Sequence, residues 1–387
     1  MQNRIFFIIA GEPSGDSRAA ELMRALKAED SSIVFHGLGG PKMQAEGAKL
    51  FFDLTSISAL GLWDVLKQYF QIRKIFYGAL DYVNHLKPSA IILVDYPGFN
   101  LRFAKKINKR FPVFYYVSPQ IWAWGGRRIH TIKRVIHHML VLFKFEEELY
   151  QKTGVPVTWV GHPLAESAQA TKTKPELRAE LGISEGSKVI SLLPGSREAE
   201  IKRILPEMLR SAERISQNIP KSHFLLSESS NVSRELYDSI VSPYQKNFTL
   251  TRVRGKMHEL LPVSDFAIVT SGTATLETAI AGVPMVILYN AHPLTYEIGR
   301  RLVKINFLGI PNIIAGRGII PEFIQHDMKA EKIAEQVLRI MMNEAAYSEM
   351  LANLKEVKAK LGPSGASART AQAILLSLRA TERSEAI

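Results

Sequence analysis

Short apolar runs alternating with helical patterns constrain this chain more than any other feature. RIFFII, AIILV, FYYV, MLVLF and VTWV occupy the first half, and VISLL, FLLSE, FTLTRV, FAIVT and MVILY the second. Runs apolar along their whole length suit strands buried on both faces, and helices between them make the sheet parallel. Between the two sets lies AESAQATKTKPELRAELGISEGSK, polar and without a buried-strand pattern, which reads as a linker with a short helix. Beyond about Met328 the pattern is helical only, through Lys329–Asn343, Tyr347–Lys360 and Ser364–Arg379. The expected class is therefore α/β, with two doubly wound domains, residues 1–165 and 166–361, facing a cleft. Ligands of such sheets collect at the carboxyl ends of the strands.

The turns at those strand ends carry the candidate chemistry. After FAIVT, Ser271, Gly272 and Thr273 stand where a helix begins, and its free N–H groups and dipole attract an anion such as a phosphate. Glu277 lies one helical turn further on the same face, placed to accept hydrogen bonds from a ribose diol; a Ser/Thr cap with a solvated Glu is the plainer alternative. Asp95 ends AIILV and precedes the turn YPGFN, where a carboxylate is costly unless it caps or works; a general base there could take a proton from an acceptor hydroxyl. In LLPGSREAEI, Arg197 opens a helix after a Pro-Gly-Ser turn, which suits a diphosphate; a surface pair with Glu198 or Glu200 is the alternative.

The loop AGEPSGD (Gly11, Glu12, Ser14, Gly15, Asp16) lacks the spacing of a dinucleotide or P-loop motif. It reads either as a tight turn that lets a ligand approach the backbone or as a plain turn with Asp16 as cap. Trp122 and Trp124 suit a core or a sugar face, and His162 a hinge or a ligand contact. Across Ser58–Val83, Leu62, Leu66, Tyr69, Phe70 and Phe76 recur at helical spacing, with Trp63 and cations between them. That pattern fits a core-facing helix or an interfacial one that touches lipid.

Composition narrows the classes. The chain of 387 residues has no cysteine, which removes disulfides, thiolate metal sites and Cys nucleophiles. No apolar run reaches the ~18 residues of a membrane span, and the N-terminus reads as a first strand and not as a signal peptide. HExxH, GxSxG and DxD are absent, so no carboxylate pair is offered to a divalent cation and no metal or other cofactor is expected. The net charge of +12 calls for nucleic acid, an anionic membrane surface or a phosphorylated substrate, or serves solubility alone. Basic residues gather at Lys105–Arg110, Arg127–Arg134 and Arg300–Lys304, but no helix-turn-helix, RNP or zinc pattern accompanies them.

Taken in order, GEPSGD, GGPKMQAEG, DYPGFN, YVSPQIWAW, LPGSREAEI, SGTATLE and PNIIAGR resemble the lipid-A-disaccharide synthase family, from about residue 5 to 317. The resemblance implies a GT-B glycosyltransferase with two Rossmann-like domains and C-terminal helices, 362–387, crossing back to the first. It implies transfer from UDP-2,3-diacylglucosamine to 2,3-diacylglucosamine 1-phosphate, with inversion and without metal, by a protein on the cytoplasmic face of an anionic inner membrane. Nucleic acid is then no partner; a homodimer is compatible with the reading, which does not fix the oligomeric state. Asp95 matches the family's base and Arg197 its essential arginine. Ser271, Gly272, Thr273 and Glu277 match the UDP site, as do Asn312 and Gln120, and the 11–16 loop lies on the acceptor side. Some members carry a second acidic residue in the DxPxF turn, where this chain has Gly98. A non-hydrolysing UDP-sugar 2-epimerase on the same scaffold and a basic nucleic-acid-binding protein are the competing readings.

Overall fold

The computed structural model of the chain describes residues 4–58, 65–167, 172–255, 257–293, 296–297, 301 and 305–385. It divides into two compact units: Met1–Pro163 together with Leu361–Ile387, and Leu164–Lys360.

The first unit is built on a parallel sheet of seven strands: β1 (Ile5–Ala10), β2 (Val34–Gly39), β3 (Lys49–Asp53), β4 (Ala90–Val94), β5 (Val113–Tyr116), β6 (His138–Val141) and β7 (Val157–Trp159). Their order is β3-β2-β1-β4-β5-β6-β7. The second unit has six parallel strands: β8 (Lys188–Leu193), β9 (Ser222–Glu228), β10 (Leu250–Arg254), β11 (Phe266–Thr270), β12 (Met285–Tyr289) and β13 (Glu322–Ile324), in the order β10-β9-β8-β11-β12-β13. Both sheets reverse direction of growth once, at β1/β4 and at β8/β11. That reversal opens a crevice at the carboxyl ends of the two strands.

Three strands differ from the sequence reading. β2, with the sequence VFHGLG, lacks an apolar run because its middle is used for close approach. A Cβ at Gly37 would stand 2.0 Å from the carbonyl oxygen of Ile8 on β1. β3 and β13 are short edge strands, where fewer positions need to be apolar.

Alternation along β1 explains the layers. Phe7 and Ile9 face one core with Phe103 and Tyr115, while Phe6, Ile8 and Ala10 face another with Leu22, Met23 and Leu26. The second core is completed by Ala371, Ile374, Leu375 and Leu378 of the helix Ala366–Glu385, which lies against the helix Pro13–Glu29. Burying each such Leu or Ile side chain is worth about 1.5–3 kcal/mol. Arg369 fixes the returning chain: its guanidinium donates to the carbonyls of Val160, Pro363 and Ser364 at 2.9, 2.6 and 2.6 Å. Among the described residues no helix is long and apolar enough to cross a membrane.

Candidate active site

In the first unit the candidate residues gather at the β1/β4 reversal. Asp95 follows β4 directly, and its backbone has φ +49; Tyr96 follows with φ +47, and Val117, after β5, has φ +65. Non-glycine residues in the left-handed region store about 1–3 kcal/mol each and cluster at functional sites. The strained peptide is pinned. Tyr115 donates its hydroxyl to the Asp95 carbonyl oxygen at 2.6 Å, and Asn100 donates its amide to the same oxygen at 2.7 Å.

Burial pushes the Asp95 carboxyl above its ordinary range. The negative charge of Glu12 pushes the same way, while Arg18 and the Tyr96 N–H oppose. A carboxylate partner for Asp95 thus comes from the loop after β1 instead of from position 98, which is glycine. The two loops also interlock, because a Cβ at Gly11 would stand 2.3 Å from the Tyr96 ring. Gly11 therefore admits a tyrosine ring where the sequence suggested a ligand. Glu12 and Ser14 are exposed, and Gly15 is buried in the first turn of its helix without crowding.

Asp16 corrects the sequence reading. Its carboxylate, 2% exposed, accepts from the N–H groups of Gly40, Lys42 and Met43 at 2.8, 3.0 and 3.1 Å. It caps the helix Pro41–Ala45, so it neither caps its own helix nor faces a ligand. Gln120 is exposed in the loop after β5, and its carbonyl accepts from Ala123 and Trp124. That loop is held from beneath by Glu146, which accepts from the Ser118 hydroxyl at 2.6 Å and the Trp122 indole at 3.2 Å. Burial raises the Glu146 carboxyl to about 7. His162 is 3% exposed and its N–H donates to Leu361, which makes it part of the chain crossover.

Of the acyl-contact candidates, Leu62 and Trp63 lie outside the described residues, as does the side chain of Leu66. Phe70 is 64% exposed on the helix Val65–Leu86, whereas Phe76 packs edge-on against Phe99 at 5.2 Å. The helix thus packs one face on the core and leaves another exposed.

In the second unit the β8/β11 reversal frames a cavity of about 520 Å³, lined by Pro194–Arg197, Glu200, Ser227–Ser230, Ser271–Ala274 and Glu277. The helix Thr273–Ile280 points its N-terminus into it. Glu277 is half-buried, and burial raises its carboxyl; no hydrogen-bond donor meets it among the described residues. Thr270 Oγ1, buried at the end of β11, also lacks a partner among them. Ser271 donates its hydroxyl to the Leu308 carbonyl oxygen at 3.0 Å, so that group is already used within the chain. Arg197 pairs with Glu200 at 2.8 Å, its side chain 79% exposed, so the surface pair named as the alternative forms, and the guanidinium stays at the cavity wall. The serines after β9 were missed, although FLLSESS places hydroxyls directly at a strand end.

Asn312 is a second correction. Fully buried, it accepts from the N–H groups of Ile319 and Ile320, both at 2.9 Å, and donates to the Ile320 carbonyl and to Glu322 at 2.8 and 2.7 Å. Its donors and acceptors are all spent within the chain, so it shapes the segment 308–322 and has none left for a ligand. Among the described residues no group of three His, Asp or Glu side chains is placed to hold a metal ion.

A family model described as lipid-A-disaccharide synthetase matches residues 6–375. The chain belongs to that family. The lipid-A-disaccharide synthase of Myxococcus xanthus is 40% identical over 370 residues, 95% of this chain and 96% of that protein. That of Geobacter sulfurreducens is 37% identical over 371 residues, again 95% and 96%. As a member of the lipid-A-disaccharide synthetase family, the chain is a glycosyltransferase. Among solved structures, MurG from Acinetobacter baumannii has a TM-score of 0.57 at 15% identity, covering 96% of this chain and 99% of that one. A UDP-GlcNAc 2-epimerase from Neisseria meningitidis bound to UDP-GlcNAc reaches 0.65 at 14%, with the same coverage. At such identity the likeness fixes the fold alone, two α/β units of the GT-B class, and lends the epimerase reading no chemistry.

Proposed function

We propose that this synthetase-family member joins UDP-2,3-diacylglucosamine to 2,3-diacylglucosamine 1-phosphate on an anionic membrane surface, and that the first unit handles the acceptor and the second the UDP-sugar. Asp95 takes the proton of the acceptor 6-hydroxyl, whose oxygen attacks C1 of the donor sugar. The bond from C1 to the diphosphate oxygen breaks with inversion, and UDP leaves. In the second unit the N–H groups at the start of the 273–280 helix and Arg197 meet the charge of the diphosphate, while Glu277 accepts from the ribose.

The observation that carries the chemistry is Asp95 itself. Its half-buried carboxyl, raised above its ordinary value by burial, stands on a strained turn at the strand reversal, which suits a general base. The test is to incubate the protein with both acylated substrates in detergent, with and without EDTA. Disaccharide and UDP formed equally in both supports the reading. Conversion of soluble UDP-GlcNAc without any lipid acceptor would refute it in favour of epimerisation.

A further inference from the structure

Two cavities of the first unit meet at Gly98, three residues along the chain from Asp95. The larger, of about 640 Å³, is an aromatic trough formed by Phe76 and Tyr77 of the 65–86 helix with Tyr96 and Phe99. Its size is that of a small-ligand site. The smaller, of about 220 Å³, is lined by Arg102, Lys105, Arg128 and Thr131. Gly98, Arg102 and Lys105 line both. Arg128 lies over the Trp124 ring at 4.1 Å, and no carboxylate pairs with Arg102, Lys105 or Arg128 among the described residues.

We propose that the joined cavities seat the acylated sugar 1-phosphate itself, with an acyl chain in the trough and the phosphate on Arg102, Lys105 and Arg128. The inference rests on the acceptor role given above to this unit. A free phosphate has no use for an aromatic trough, and a neutral lipid has none for three unpaired cations; the pair of cavities fits a molecule that carries both. Aromatic surface continues along the same helix at Tyr77, Phe70 and Tyr69, which are 47%, 64% and 54% exposed, so a chain longer than the trough keeps apolar contact. Seating the phosphate beside Gly98 brings the acceptor sugar to the turn that bears Asp95.

The test is steady-state kinetics on the full chain in detergent. The double variant R102A/K105A raises the KM for the acylated sugar 1-phosphate about tenfold to a hundredfold, as loss of charge-assisted hydrogen bonds implies. It leaves unchanged the KM for the UDP-sugar, and that for an acceptor lacking the phosphate. Gly98→Trp enters open space, since a Cβ there meets nothing within 4 Å, and it raises the KM for the long-chain acceptor but not for its deacylated form. An unchanged acceptor KM in both variants overturns the proposal, as does R102A/K105A reducing only the protein's partition onto anionic phospholipid vesicles. If the wild type makes no disaccharide, the transferase reading fails on its own. Calorimetric binding of the acylated sugar 1-phosphate, weakened by R102A/K105A, still decides the seat.

Discussion

The hydroxyl of Tyr115 donates to the carbonyl oxygen of Asp95 at 2.6 Å, tying the end of one strand to the strained residue that follows its neighbour. The carboxylate's direction depends on this peptide, so the tie aims the base as well as steadying the turn. Removing the hydroxyl leaves Asn100 as the remaining donor.

Tyr115→Phe therefore lowers turnover about tenfold while KM for the UDP-sugar stays unchanged, and lowers stability by about 1 kcal/mol. Kinetics and urea unfolding of the same preparation separate the two. Wild-type turnover with the expected stability loss removes the aiming role.

Asp95→Asn costs about 10²–10⁴ in turnover if the carboxylate is the base. The acid limb of kcat/KM lies above the ordinary carboxylate range, because burial and Glu12 both favour the protonated form. Glu12→Gln removes one of those causes, so the limb moves to lower pH. A pH profile of the variant that shifts upward or stays put contradicts the electrostatic link.

Arg197→Ala reduces turnover about 10²–10³-fold, as for loss of a donor to a departing charge. Its partner matters far less. The Arg197–Glu200 pair is open to solvent, and such pairs are worth at most about 1 kcal/mol, so Glu200→Gln tightens UDP by no more than a few-fold. Calorimetric titration with UDP measures both; a large gain for Glu200→Gln would mean that the pair locks the site.

Glu146 makes the first unit sensitive to pH. Its carboxyl titrates at about 7 in the folded chain against an ordinary 4.5, so between these values the folded state holds a proton that the unfolded state has lost. Stability is thus greatest at the acid end of that window and falls as pH rises through it, by on the order of 3 kcal/mol in total. Glu146→Gln, which cannot titrate, flattens this slope in denaturation curves taken from pH 5 to 8. An unaltered slope assigns the dependence elsewhere.

What the sequence made legible follows from how each feature is encoded. Strands buried on both faces announce themselves as apolar runs, so β4, β8 and β11 were plain, and the turns after them hold Asp95, Arg197 and Ser271. β2 was hidden because Gly37 replaces apolar bulk with backbone contact. Roles set by distant partners were not legible either. Asp16 reaches residues 40–43 across a strand, and Asn312 closes on a loop that the sequence shows only as apolar residues around glycines. The cationic cavity by Gly98 joins Arg102 to Arg128 through packing that no local motif records.

The return of the 366–385 helix to the first unit has a consequence for how the chain is made. Translation at ~5–20 residues per second delivers that wall only after all of residues 164–360, some 10–40 s after the strands it must shelter. For that interval the nascent protein carries a greasy flank at Leu22, Met23 and Leu26. Chaperones that hold apolar surface have their longest opportunity there, and a ribosome stalled before the last helix releases an aggregation-prone fragment.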